Sequence, residues 1–224
     1  MTTRLSPDAR SAQVEESAPP RPASVEVPDE VRVVLLELAR TALAAVTGRT
    51  TMKPLEAALH AATARYRERA AVFVTLTEGG ELRGCMGGLV AERPIPEAVA
   101  GAACSAALRD PRFVPLSVRE LPDVHIEVSV LGAPVRLERP ADLRPGIDGV
   151  IVERGPAVAL LLPEVADHFG WGGLEMIMAV CRKAGLPGDA WQDPNTRLFV
   201  FRTARFGGPA LEPSEGAGAE ARAH

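Results

Sequence analysis

Polar and apolar positions along the chain change period several times, and each change marks an element. Val31, Val34, Leu35, Leu38 and Ala42 recur at helical spacing behind Asp29, which can cap the helix, and Gly48 is a plausible stop. A second helix is expected from Leu55 to about Tyr66. AVFVTLTEGGELRGCMG then switches to strand alternation and predicts a β-hairpin turning at Gly79-Gly80, the residue pair that tolerates positive φ. Pro96 to Arg109 is an Ala-rich helix ended by Asp110-Pro111. Val124, Ile126, Val128 and Val130 form one buried strand face, and GVIVERGPAVALLLP predicts another hairpin with its turn at Arg154-Gly155-Pro156. Pro163 opens a short helix through Phe169, and Gly173 to Ala184 is a longer one with Leu174, Ile177, Met178 and Cys181 on one face. TRLFVFRT, from Thr196, is expected as the last strand. Hairpins interspersed with helices predict an α+β protein with a mainly antiparallel sheet and flanking helices, and they disfavour a doubly wound nucleotide fold.

The ends of the chain lack this periodicity. Residues 1 to about 27 and the stretch GGPALEPSEGAGAEARAH are rich in Pro, Ser, Ala, Gly and charge, with too few large apolar residues to offset the entropy of ordering. The domain is therefore drawn as 28–207, between disordered tails 1–27 and 208–224.

Composition narrows the function. With 224 residues, 46% of them hydrophobic, the chain can bury a full core as one domain or two closely packed lobes. A net charge of -4 and only nine aromatic residues give no footprint for nucleic acid or anionic membrane. The three cysteines, Cys85, Cys104 and Cys181, form neither a closed disulfide set nor a CxxC metal pair, so no metal or other cofactor is expected. An N-terminus without a signal-type apolar region, and no apolar run of about 18 residues, predict a cytoplasmic protein that does not span a membrane. GxGxxG, Walker, HExxH and GxSxG motifs are absent.

The candidate chemistry lies in ELRGCMGGL. A two-residue turn would pair Glu78 with Glu81, Leu76 with Arg83 and Val74 with Cys85, which places Arg83 and Cys85 on one face with Cα atoms roughly 7 Å apart. Arg83 would then lower the thiol pKa by about one unit or less, while the apolar Val74 and Leu76 oppose it. Gly84 and Gly87 leave the backbone beside Cys85 uncovered, as expected of a bend or of close approach by a ligand. Cys85 is thus a candidate nucleophile, with Arg83, Gly84 and Gly87 as candidate substrate-binding neighbours; a buried core cysteine beside a bend is the competing expectation. Arg112, in DPRF, follows a helix end that can aim it at an anion. A Cys–His pair would need His60, His125 or His168 nearby, and His125, which shares a strand face with Glu127 and Ser129, is the best placed. Cys104 and Cys181 fall on apolar helices and are expected to pack.

LRGCMG, with VFVTL, DPRF, ELP, IEVSVL, GVIVERG, LLPEVA, GW, CRKAGL and LFVF following in order, resembles the AMMECR domain family, which includes protein A of the AmmeMemoRadiSam system. The resemblance spans about residues 29 to 206. It implies two unequal lobes forming a cleft near the signature, and association with a Memo-like protein and a radical SAM protein in modifying a small molecule, protein or nucleic acid. It assigns no catalytic activity. Met86 and Gly88 stand where the family usually has Ile and Thr or Ser. The expectations are an enzyme or enzyme subunit using Cys85, a non-catalytic binding or scaffold module using the same cleft, and, with least support, a nucleic-acid binder.

Overall fold

The computed structural model of the chain describes residues 20–211. Two four-stranded antiparallel sheets build two lobes. In the first, β1 (Ala71–Glu78), β2 (Glu81–Gly87), β3 (Val124–Leu131) and β8 (Thr203–Pro209) lie in the order β2-β1-β3-β8. Helices α1 (Asp29–Val46), α2 (Met52–Arg65) and α3 (Ile95–Leu108) belong to this lobe. In the second, β4 (Val135–Arg136), β5 (Gly149–Arg154), β6 (Ala157–Leu161) and β7 (Arg197–Phe201) are ordered β4-β7-β5-β6, with α4 (Glu164–Phe169) and α5 (Gly173–Lys183) alongside. This is the α+β class that the mixed periodicity predicts.

Strand alternation separates two environments on the first sheet. Val72, Val74 and Leu76 of β1 and Val124, Ile126, Val128 and Val130 of β3 are buried in one core with Leu35, Leu38, Ala39, Ala42 and Leu43 of α1. Burying each such side chain contributes about 1.5–3 kcal/mol. The Ala-rich run of α3 gives this core its tight fit: Ala102, Ala103, Ala106 and Ala107 are buried and let the helix backbone lie almost on the sheet. In the second lobe, Val150, Val152, Leu198 and Val200 pack on Met176, Ile177, Val180 and Cys181 of α5. A smaller cluster of Ala71, Leu131, Ile151, Leu160, Leu162 and Phe201 joins the lobes, so one end of the first sheet's second face is covered by the second lobe.

Several sequence expectations change in detail. The hairpin turns at Gly79 and Gly80, both with positive φ, but its register slips after Leu82. Leu76 pairs with Gly84 and Thr75 with Cys85, leaving Arg83 as the extra residue of a β-bulge. The expected pairs Leu76–Arg83 and Val74–Cys85 therefore do not form. On α5, Leu174 is 49% exposed, and Met176 and Val180 complete the buried face in place of Leu174 and Met178.

The chain also continues beyond β7. After Arg202 it crosses to the first lobe, where Gly207, Gly208 and Pro209 pair with Glu127, Ile126 and His125 as the end of β8. Arg202 is fixed at the crossover by Asp148, a fully buried carboxylate 2.7 Å from its Nε that also binds Arg144. At the other end Pro22 and Val27 are buried, so ordered packing starts before residue 28. Residues 1–19 and 212–224 of the proposed tails lie outside the described residues.

Candidate functional site

The second face of the first sheet carries Phe73, Thr75 and Thr77 on β1, Glu127 and Ser129 on β3, Arg205 on β8 and Cys85 on β2. Register places Cys85, Thr75 and Glu127 in one row across three strands. Thr75 Oγ1 lies 3.3 Å from Cys85 Sγ as its hydrogen-bond donor. The thiol is half-buried.

Behind Cys85, Asp110 closes the strand edge. This carboxylate, 4% exposed, accepts hydrogen bonds from the Cys85 backbone N–H at 2.8 Å and from the Arg112 backbone N–H, Nε and Nη2 at 3.1, 2.9 and 2.6 Å. Hydrogen bonding from Arg112 holds its carboxyl far below the usual carboxylate range, against the cost of burial. Asp110 thus satisfies an edge-strand donor that would otherwise be open and fixes the backbone that carries the thiol. The sequence reading took Asp110-Pro111 only as a helix stop and missed this role. The signal was present as a carboxylate directly before the proline turn that aims Arg112.

The remaining candidates have definite places. Arg83, released by the bulge, reaches Glu120 with a 2.7 Å ion pair and lies over the Phe113 ring at 5.9 Å. Arg112 stacks on the same ring at 5.4 Å, and its side chain is 54% exposed. A Cβ on Gly84 would lie 2.3 Å from the Ala106 carbonyl oxygen, so this glycine is where α3 meets β2. A Cβ on Gly87 would lie 2.2 Å from the Val72 carbonyl oxygen, so close backbone packing describes this position as well.

The electrostatics of the thiol reverse the expected sign. Burial pushes Cys85 up, and the Thr75 hydrogen bond, then Lys183, then Arg112, only partly pull it down, while Asp110 opposes them. Arg83 is engaged elsewhere, and the cations that act on the thiol are Lys183 and Arg112. Lys183, at the end of α5, belongs to the other lobe and sequence reasoning missed it, because only the fold brings CRKAGL towards LRGC. The residue as a whole is exposed, yet its ammonium titrates below the ordinary lysine value through desolvation, with Cys85 opposing the shift and Arg112 adding to it.

None of the three candidate histidines forms a pair with the thiol. His125 is exposed opposite Thr77, one pair further along β1 on that face than Thr75, and His60 and His168 are exposed on α2 and α4. Cys181 is fully buried as expected, and Cys104 is partly buried against the first core. Cavities of about 520 Å³, beside Trp191 and Thr196, and about 410 Å³, beside His60 and Arg67, lie elsewhere and contain no thiol. Among the described residues no group of His, Cys, Asp and Glu is arranged to hold a metal ion, and no helix is long and apolar enough to cross a membrane.

Comparison with known proteins places this geometry in a family. A curated protein of Methanothermobacter thermautotrophicus is 48% identical over 147 residues, covering 63% of this chain and 77% of its own. One from Thermococcus gammatolerans is 42% identical over 149 residues, covering 62% and 73%. The crystal structure of the uncharacterised protein PH0010 from Pyrococcus horikoshii superposes with a TM-score of 0.75 at 34% identity, over 83% of this chain and 96% of that one. The AMMECR1 family profile matches residues 36–206, which include every residue of the Cys85 site and both sheets except the last three residues of β8, and the chain belongs to the AMMECR1 family.

Proposed function

We propose that the chain is a substrate-contacting component of a modification pathway associated with a Memo-like protein and a radical SAM protein, and that Cys85 is the group that meets the substrate. One observation carries the reading: the thiol stands on the sheet face not packed under helices, held by Thr75 at 3.3 Å, with its backbone clamped by Asp110 at 2.8 Å. Cys181, by contrast, is fully buried in the apolar core of the second lobe. Arg112 is exposed beside the clamp and is the group placed to meet an anionic part of the substrate.

The raised thiol sets a condition on the mechanism. At neutral pH Cys85 is predominantly protonated, so a nucleophilic role requires substrate binding to bring further positive charge to it or to take its proton. Lys183, carried by the other lobe, is suited to the first task. The same observation favours a second reading, in which Cys85 contacts a ligand without attacking it and the chain is a binding or scaffold module.

Untargeted mass spectrometry of metabolites, proteins and RNA from cells carrying wild type or Cys85→Ala tests the proposal, alongside capture of the two partner proteins by the full chain. A product lost in Cys85→Ala with both partners still captured supports the pathway reading. An unchanged product profile contradicts a chemical role for the thiol and leaves the binding module as the better account.

A further inference from the structure

One strand beyond Thr75, the same sheet face carries a charged cluster that the reading of Cys85 leaves unused. Arg205 lies 3.4 Å from Glu127 on β3 and, across the lobe boundary, 3.7 Å from Glu164 on α4. The two glutamate side chains are 30% and 25% exposed, so two partly buried carboxyls share one guanidinium. Burial pushes both carboxyls up; Arg205 opposes this at both, and Glu127 and Asp167 add to it at Glu164. When both are ionised the cluster holds one negative charge in excess, in a place where uncompensated charge is costly.

A second observation points independently to a missing donor. Ser129, 1% exposed, lies opposite Arg205 and on the face of Glu127 by strand alternation, and its Oγ has no hydrogen-bond partner among the described residues. Leaving such a hydroxyl unpaired destabilises the fold. The excess charge asks for a cation and the hydroxyl accepts an N–H. On the other side of Thr75, Arg112 and Lys183 act on the thiol and disfavour a cation there.

We propose that the Glu127, Glu164 and Ser129 end of the cleft seats the protonated primary amine of a ligand that extends across Thr75 to Cys85. The inference rests on the cleft being a ligand site, and it adds the chemical class of what binds: an amine carrying its reacting or recognised group a short chain away. Since Cys85 and Glu127 both neighbour Thr75, their Cα atoms are separated by two strand spacings, roughly 10 Å.

The experiment titrates the full chain with hexylamine, 6-aminohexanoate and, as the amine-free control, hexanoate, following binding by NMR while iodoacetamide alkylation of Cys85 is timed in parallel. Both amines should bind at least tenfold more tightly than hexanoate and more tightly at pH 7 than at pH 4, where the carboxyls are protonated. Glu127→Gln and Glu164→Gln should each weaken them about tenfold and Ser129→Ala about threefold, in variants whose circular dichroism is native. Hexanoate binding as well as the amines, or amine binding unchanged in both Gln variants, overturns the amine seat. Amine binding that leaves alkylation of Cys85 unslowed keeps the seat and overturns the link to the thiol. Loss of amine selectivity with Cys85 still reactive defeats the seat alone.

Discussion

The two faces of the first sheet use alternate residues of the same strands and meet opposite demands. Val72, Val74, Leu76, Ile126 and Val128 face the helices and are buried at 1% exposure or less, whereas Thr75, Cys85, Glu127 and Arg205 face the cleft with polar groups only partly covered. Stability is concentrated on the first face. The second holds two carboxyls raised by burial, which cost folding free energy when ionised at neutral pH, and a buried hydroxyl without a partner among the described residues, which costs it at any pH. Such costs persist in a fold when the groups have another use.

The sharpest way to break the contrast is to add bulk where the helix face closes. Gly84→Val should lose about 3 kcal/mol or more, because its Cβ lies 2.3 Å from backbone rather than from a movable side chain. That corresponds to a Tm fall of roughly 6–12 °C for a domain of this size. Gly88→Ala, with open space around the added carbon, should change Tm by about 1–2 °C at most. Scanning calorimetry of the pair checks whether the bend beside Cys85 is packed on one side only.

Asp110→Asn comes next, with an expected loss of about 2–3 kcal/mol, since it leaves Arg112 and the Cys85 N–H with a weaker partner. The folded carboxyl titrates below its unfolded value, so its contribution is fully present above about pH 4 and is lost as pH falls below that. The wild-type and Asp110→Asn stability curves from urea titration should therefore converge on going from pH 6 to pH 2.

Glu164→Gln should act in the opposite direction. Its folded pKa is raised, so ionisation costs stability as pH climbs through the unfolded value of about 4.3 towards the folded one. The variant should be more stable than wild type by about 1 kcal/mol at pH 7, a gain of roughly 2–4 °C in Tm, and equal to it at pH 4. A destabilised Glu164→Gln would place this carboxyl in the structural half of the comparison.

How much of this was legible in the sequence follows from the range of the interactions. Helices α1 and α3 and the β1–β2 turn are set by local periodicity, prolines and the glycine pair, and they appear where those signals fall. Strand β8 is masked by Gly207-Gly208-Pro209, residues that argue against a strand unless a partner such as β3 is waiting. The bulge at Arg83 turns its side chain to Glu120 and Phe113, far along the chain, which alternation alone does not show and which made Arg83 read as a neighbour of the thiol. Cys85 and Arg112 were readable from LRGC and DPRF, whereas Lys183, Glu164 and Arg205 join the site only when the second lobe and β8 fold onto the sheet.

A smaller effect tests the local chemistry. Thr75→Val removes the hydrogen bond that lowers the thiol, so alkylation of Cys85 at pH 8 should slow about threefold, while Arg83→Gln should leave it unchanged. Equal slowing in both variants would restore Arg83 to the thiol's surroundings.

The central claim, that Cys85 is presented and not packed, is tested most directly by iodoacetamide alkylation of the native full chain, with peptide mapping of all three cysteines over pH 7 to 10. Cys85 should react in the native protein with a reaction pKa above the ordinary thiol value and fall in rate in Thr75→Val, while Cys181 reacts only after unfolding. If Cys85 and Cys181 stay equally inert until the protein unfolds, the thiol is part of the core and the account of the cleft is contradicted.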